Sequence, residues 1–361
     1  MFKDYDPIKN KIFRIIDNEG KVINKKWKPD ISDEDLLKAY KDMLFVRTTD
    51  FMAISYQRQG RMFTYPPNYG QEAVSQAIAM NWNEDDWFLP AFRELGAWLA
   101  KGVSLRDIFM YFMGFEDGAA FKGGKNIMSI SVPIASQLPH AVGIAYSIKY
   151  NKGKEIVYAV VGDGGTSTGD FHEALNFASV WKVPVVFVIQ NNQFAISVPL
   201  KKQTNAINLA SKAVGYGIPG IYVDGNDIFA MYKALEEASK HAREGKGPVL
   251  VEALTYRKGA HTTSDDPTKY RTKEEEDKWD KTDPLKRLKS YLEDNGLLTI
   301  DEEKLVSEYK KEIDRQFTEA ENYPATPLED VFNYMYAEMP DDLKNQMTEH
   351  ENFLKWKEAR K

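Results

Sequence analysis

Apolar residues fall at helical spacing from Leu36 through Tyr40, Met43, Leu44, Phe51 and Ile54. The spacing, opened by Ser32-Asp33-Glu34-Asp35 with its resemblance to a capping box and stopped by Gly60, predicts one long helix. Further helices are expected over 71–82, 94–101, 104–113 and 136–150. From Ile156 the texture changes. Residues 156–161 and 183–189 are short, continuously apolar runs rich in β-branched side chains, and 170–180 between them places Phe171, Leu175 and Ala178 on one helical face. Strands that are apolar on both faces and joined by a helix belong to a buried parallel sheet. The unit recurs as a strand over 221–223, a turn over 224–227, a helix to Arg243 and a strand over 249–256. The expected fold is α/β, a doubly wound parallel sheet flanked by helices.

Three regions follow from the same pattern. Residues 1–31 read as an N-terminal arm with a weak strand-turn-strand signal around Asn18, Glu19 and Gly20. Residues 32–283 read as the α/β domain, and 284–361 as a C-terminal helical extension packed on it. The run KEEEDKWDK and the mixed-charge tail fit solvated helix faces. Composition then narrows the function. The chain has 43% hydrophobic and 28% charged residues, a globular profile, and a net charge of -6 that provides no basic face for a nucleic-acid partner. With no cysteine, disulfides, thiolate metal sites and a cysteine nucleophile are excluded. The start MFKDYDPIKN lacks an apolar signal region, and no uncharged apolar run reaches about 18 residues, so a cytoplasmic chain without a membrane partner is expected.

The candidate chemistry lies in GDGGTSTG, residues 162–169, between a strand and a helix. A dinucleotide fingerprint fails twice. Ser167 occupies the third glycine position, and the next strand ends in Gln190-Asn191 without an acid for a ribose hydroxyl. A triphosphate loop of the G-x-x-x-x-G-K-[ST] type is absent as well. Instead Asp163 and the pair Asn191-Asn192 fall just past the carboxyl ends of two strands joined by one crossover, where open α/β sheets hold ligands. A carboxylate, an amide oxygen and a nearby carbonyl form a hard oxygen set for Mg²⁺ or Ca²⁺, and the metal would bridge Asp163 to a diphosphate approached by glycine amides.

GDG at 162–164, then residues 165–190, then NN resembles the thiamin diphosphate motif. From about residue 30 to 335 the chain is similar to the alpha subunit of the thiamin-diphosphate-dependent decarboxylating component of 2-oxoacid dehydrogenase complexes. YGQEA (69–73), FRELGAWLAKG (92–102), VPIASQLPHAVGIAY (132–146), NNQFAIS (191–197), VDGND (223–227) and HTTSDDPTKYR (261–271) occur in the family's order. YGQEA and NNQFAIS favour the members that act on pyruvate.

The resemblance implies a thiamin-diphosphate-binding fold and a set of roles. Asp163, Asn192 and the carbonyl of Phe194 would ligate Mg²⁺, while Gly164, Gly165 and Arg93 would hold the diphosphate. Phe92 stands where relatives carry Tyr, which removes a hydroxyl contact. The backbone at Val132 and Ile134 would meet the aminopyrimidine, and Ile134 would support the bent cofactor. Asn191 is expected to be a structural turn amide. Among five histidines, His261 matches the family's catalytic one, near the cofactor and active in transfer to the lipoyl group. His140, His172, His241 and His350 rank below it. Gly259-Ala260 replace a second histidine common in relatives. Lys269 occupies the position of a regulatory serine, so phosphorylation there is not expected. Tyr270 and Arg271 would close the loop. The implied activity is oxidative decarboxylation of pyruvate with acetylation of a lipoyl group on an acyltransferase core, the step that follows glycolysis and leads to acetyl-CoA. A beta chain in an alpha2 beta2 heterotetramer would supply the glutamate that activates the aminopyrimidine. A branched-chain 2-oxoacid or acetoin dehydrogenase shares every site named. A nucleotide-binding oxidoreductase or a non-catalytic metal-binding module is the alternative outside this class.

Overall fold

The computed structural model describes residues 1–130 and 132–360. Its strands are β1 (Trp87–Leu89), β2 (Val157–Gly162), β3 (Val185–Asn191), β4 (Phe194–Ala195), β5 (Val198–Pro199), β6 (Gly220–Asp224) and β7 (Val249–Leu254). Five of them form one parallel sheet in the order β1-β2-β3-β7-β6, and β4 and β5 make a small antiparallel hairpin beside it. Alternation along the strands explains why both faces must be covered. Tyr158, Val160, Val186, Val188 and Val251 point into a core shared with the helices Asp33–Arg58, Glu72–Ala79 and Ile228–Arg243. Val157, Val161, Val185, Phe187 and Ile189 point the other way, against Gln137–Tyr150 and Gly169–Trp181. Each of these side chains is fully or almost fully buried, worth about 1.5–3 kcal/mol apiece in apolar transfer. Helices on both faces make the sheet doubly wound, as the apolar pattern predicts.

The long helix begins where its cap demands. Ser32 Oγ accepts a hydrogen bond from the Asp35 amide at 3.1 Å, and the chain leaves the helix through Gly60 at φ +75°. Phe51 departs from the expected apolar face and is exposed, whereas its neighbour Asp50 is buried. The interior is polar at that level because Asp50 accepts from the Tyr65 hydroxyl at 2.7 Å and from the Asn68 amide at 2.7 Å. Strand β1, which the pattern did not reveal, is only three residues long and too short to show a period.

The N-terminal residues are pinned more firmly than a loose arm. Phe13 lies parallel to Val223, with its N–H donating to Tyr222 O at 2.8 Å, and so covers the edge of β6. The amides of Ile15 and Ile16 both donate to Asp227 Oδ2 at 2.7 Å. Arg287, from the helix Pro284–Asp294, donates to Ile16 O at 2.6 Å and to Asp224 Oδ2 at 2.9 Å. The strand-turn-strand signal corresponds to a turn through Gly20 flanked by a single bridge between Ile16 and Val22.

At the other end, Leu285, Leu288, Leu292, Ile313 and Phe317 join the core of the long helix. The helices Lys273–Asp280 and Asp341–Glu358 bury no residue, as their charge pattern suggests. Among the described residues no helix is long and apolar enough to cross a membrane.

Asp227 also caps its own helix through Ala230 N at 3.0 Å. Asp227→Ala leaves three buried amides without their acceptor, and the expected cost is about 3–5 kcal/mol, read as a lower urea midpoint with an unchanged slope.

Candidate active site

Strands β2 and β3 pair in parallel with Gly162 opposite Gln190, so Asp163 and Asn191-Asn192 leave the sheet side by side. A 3-10 turn over Asp163–Ser167 leads into the helix Gly169–Trp181. Asp163 is 1% exposed, and its Oδ2 has no hydrogen-bond partner among the described residues. Burial pushes its carboxyl up to about 6, against the pull of nearby backbone amides and the Arg257 charge. Asn191 turns into the sheet and donates to Glu252 Oε1 at 2.6 Å, while Glu252 accepts from the Ala210 amide at 2.7 Å. Asn192 faces the other way. Its Nδ2 lies 3.4 Å from Gln71 Oε1, and its Oδ1 accepts only from Phe194 N at 3.4 Å, a long contact that leaves the oxygen capacity to spare.

Beyond these ends lies a cavity of about 350 Å³. Phe92, Arg93, Ile134, Asp163, Gly164, Gly165, Asn192, Phe194 and His261 all line it. Val132 does not, and at 66% exposure it stands outside the lining. The glycines are required by space. A Cβ on Gly164 would lie 2.8 Å from Ala195 Cβ, and one on Gly165 would lie 2.4 Å from Val161 Cγ2.

The far wall carries positive charge. Arg93 sits just before the helix Leu95–Ala100, whose Leu95 amide is held by Asn68 Oδ1 at 3.0 Å, so the Asp50–Asn68 contact places the guanidinium. Arg93 donates to Pro67 O at 2.8 Å, to His261 O, and to His261 Nδ1 at 3.0 Å. Arg257, buried and three residues past β7, donates to Phe194 O at 3.2 Å, Ile196 O at 2.6 Å and the Tyr270 hydroxyl at 2.8 Å. Burial and the Arg257 charge bring Arg93 down to about 9, and burial also lowers Arg257. Two buried guanidiniums with so little anionic compensation favour an anion in the cavity.

His261 is held between them. Burial, then Arg93 and Arg257, depress its pKa to about 4, so it is neutral at neutral pH. Both groups facing Nδ1 are obligate donors, with Arg257 Nη1 at 3.4 Å, so Nδ1 is the acceptor and the proton resides on Nε2. The His261 amide donates to Asp265 Oδ2 at 2.7 Å, the oxygen that also accepts from the Tyr270 hydroxyl. Arg271 donates to the carbonyls of Arg257 and Lys258, tying the end of the loop to its start. Phe92 packs edge-on to the His261 ring at 6.3 Å and beside the Arg93 guanidinium at 5.3 Å. His172 instead meets the Tyr216 hydroxyl at 2.6 Å.

Among the described residues, five buried polar atoms without partners belong to residues of this one lining: Gln71 Nε2, Gln137 Oε1, Asp163 Oδ2, Gln190 Oε1 and Arg257 Nε. Such atoms are rare in folded proteins unless a ligand or water completes them. Gln71, Glu94, Gln137, Gln190 and Arg257 escaped the sequence reading; the available signal was polar residues embedded in apolar surroundings. Glu94 is buried, with its carboxyl pushed up to about 7 by burial, and it accepts from Gln190 Nε2 at 2.6 Å and from the Arg93 amide at 3.0 Å. Among the described residues no three His, Cys, Asp or Glu side chains cluster as metal ligands. A cation at Asp163 would therefore draw on amide and carbonyl oxygens and on oxygens of its ligand.

A family model described as the dehydrogenase E1 component matches residues 40–329. The pyruvate dehydrogenase E1 component subunit alpha of Acholeplasma laidlawii is 47% identical over 341 residues, covering 94% of this chain and 99% of that protein. The proteins of the same name from Mycoplasma pneumoniae and Staphylococcus epidermidis are 40% and 41% identical, over 353 and 340 residues. They cover 96% and 94% of this chain and 99% and 92% of their own lengths.

With His261 at about 4 in the folded chain and the usual imidazole value of 6.5 in the unfolded one, the unfolded state alone takes up this proton between those pH values. Its contribution to stability therefore rises with pH across the window and is constant above it. His261→Gln is expected to remove that rise. The check is the wild-type minus variant unfolding free energy across the window, a difference that cancels the opposite slopes of Glu94 and Asp50.

Proposed function

The chain belongs to the dehydrogenase E1 component family, and we propose that it is the alpha subunit of a pyruvate dehydrogenase. In this reading it decarboxylates pyruvate oxidatively with thiamin diphosphate and Mg²⁺ and delivers the acetyl group to a lipoyl group on an acyltransferase core. The observation that carries the reading is one cavity whose lining holds Asp163, with its Oδ2 unpartnered among the described residues, together with the buried Arg93 and Arg257. A diphosphate with a divalent cation satisfies both signs of charge at once. The names of the relatives support pyruvate as the substrate.

Asp163 Oδ2, Asn192 Oδ1 and the Phe194 carbonyl are the oxygens that would hold Mg²⁺. Arg257 already donates to that carbonyl and would be the group next to it. Gly164, Gly165, Gln71 Nε2 and Arg93 would donate to the diphosphate, and the Gly164 approach to Ala195 keeps that space clear of side chains. Ile134 supplies an apolar wall for the pyrimidine. Val132, two residues earlier, would be covered once a partner is in place. When bound, thiamin diphosphate supplies the electron sink that lets carbon dioxide leave a 2-oxoacid. His261 presents Nε2–H, because Arg93 and Arg257 occupy Nδ1, and it can donate to an oxygen gaining negative charge without itself being cationic. Glu94 is committed to Gln190 and the Arg93 amide. By the family resemblance, the acid that activates the pyrimidine would come from a beta chain, and the working assembly would be an alpha2 beta2 heterotetramer in the cytoplasm.

The test is carbon dioxide release from pyruvate and from 3-methyl-2-oxobutanoate by this chain co-purified with its beta partner, with thiamin diphosphate and Mg²⁺ added or withheld. Release should depend on both additions and favour pyruvate, and Asp163→Asn should lower it by on the order of 100-fold while weakening Mn²⁺ binding. Preference for the branched acid would assign the chain to the sister enzyme. No release from either substrate would overturn the reading of the cavity.

A further inference from the structure

Strand β7 reads VLVEAL, one acid in an otherwise apolar run. Glu252 lies opposite Ile189 of β3 on one side and Tyr222 of β6 on the other, so it sits inside the sheet and not at its edge. Leu250, two residues before it, packs on the face covered by Gln137–Tyr150 and Gly169–Trp181, and the alternation of the strand sends Glu252 to the same face. It is 0% exposed. A carboxylate there costs more than the apolar side chain that packing alone would favour, so its presence calls for a task that needs two acceptor oxygens.

The two oxygens go to different elements. Oε1 accepts from Asn191 Nδ2 at 2.6 Å, and Oε2 accepts from the Ala210 amide at 2.7 Å, at the start of the 3-10 helix Leu209–Tyr216. Beyond Asn191 the chain enters the cavity. Asn191 Oδ1 accepts from Gln193 Nε2 at 2.8 Å and from the Gln193 amide at 3.3 Å, which fixes a turn that Gln193 takes at φ +78°. Asn192 and Phe194, on either side of Gln193, line the cavity. Beyond Ala210 comes Lys212, whose ammonium donates to Thr166 O at 2.5 Å and lies 3.3 Å from Thr166 Oγ1. The Thr166 hydroxyl in turn donates to Asp163 O at 2.8 Å. One buried carboxylate thus links the turn that carries Asn192 and Phe194 to the turn that carries Asp163.

We propose that Glu252 is a positioning residue of the cation site, holding those two turns in the mutual placement that brings Asp163, Asn192 and the Phe194 carbonyl to one ion. It acts through Asn191 on one side and through Lys212 on the other, as outer partners of metal ligands do. The proposal rests on the cation reading of the cavity given above and adds what sets its geometry.

The measurement is Mn²⁺ binding, followed by electron paramagnetic resonance of the free ion, to the full chain co-purified with its beta partner and supplied with thiamin diphosphate. Glu252→Gln keeps the shape but turns an N–H donor towards Asn191 or Ala210, which are donors themselves, and should weaken Mn²⁺ binding by about 10- to 100-fold. Asn191→Asp puts an acceptor opposite the new amide, so the double variant Glu252→Gln/Asn191→Asp should recover most of the lost affinity. Asp227→Ala is the control for stability lost away from the site, with a lower urea midpoint and wild-type Mn²⁺ affinity. If Glu252→Gln binds Mn²⁺ as the wild type does while its urea midpoint falls, Glu252 only supports the sheet, and the proposal fails while the reading of the cavity stands. Weak binding that the double variant does not restore also overturns it, because the loss would not run through Asn191. Should Glu252→Gln fail to fold, Lys212→Met decides: weaker Mn²⁺ binding at a wild-type urea midpoint supports the link to the Asp163 turn, and unchanged affinity overturns it. A wild-type complex that takes up no Mn²⁺ with thiamin diphosphate present would remove both the proposal and the cation reading.

Discussion

The site depends on two strands that run parallel and in register. Because Gly162 lies opposite Gln190, Asp163 leaves the sheet level with Asn191, and Asp163 and the next residue, Asn192, reach one space. A slip of one residue would send every side chain of β3 to the opposite face, exchanging Gln190 for Ile189 at the cavity. The burial of both faces forbids that slip, since Phe187 and Val188 are each matched to a different core. A parallel pair must also be joined by a crossover, and here the crossover begins with the glycines that line the cavity. The apolar packing of the sheet and the placement of polar groups at its end are one constraint seen from two sides.

The cavity stores electrostatic cost. Arg93 and Arg257 lie close enough to depress one of them, and Asp163 is raised by burial with one oxygen unpartnered. The chain offsets part of this with neutral acceptors, the carbonyls of Pro67, Phe194 and Ile196 and the hydroxyl of Tyr270. Those groups orient the guanidiniums without neutralising them, so the field is already in place before a ligand arrives. His261 stays neutral first because it is buried and then because of Arg93 and Arg257, the same two charges that attract an anion.

Much of this was legible in the sequence where a period or a fixed spacing carried the signal. The strands over 157–162 and 185–191, the helix between them, and the Ser32 cap stand within a residue or two of their expected places, because burial on one or two faces writes a repeat into the chain. GDG and NN were readable because one crossover links them. The remainder depended on distance. Gln71, Gln137 and Arg257 come from three different elements and meet at the cavity only through the tertiary fold. Asp50 was hidden by its neighbour: a phenylalanine at the next position suggested an apolar stripe, where the helix needed a carboxylate to hold Tyr65 and Asn68. The role expected of Val132 is a backbone one, which its side chain, exposed and outside the cavity lining of the single chain, neither shows nor excludes.

The anchoring of the N-terminus bears on how the protein is made. Phe13 lies against Val223, the amides of Ile15 and Ile16 need Asp227, and the carbonyl of Ile16 needs Arg287. This segment is thus synthesised well before its partners: Phe13 and the Ile15 and Ile16 amides wait for Val223 and Asp227, and the Ile16 carbonyl waits for Arg287. The cover of β6, an edge strand with Ile221 and Val223, is this segment, and it is locked in place only when Asp227 and Arg287 hold it. A chain in which that lock is missing would expose a sheet edge, the kind of surface a chaperone binds.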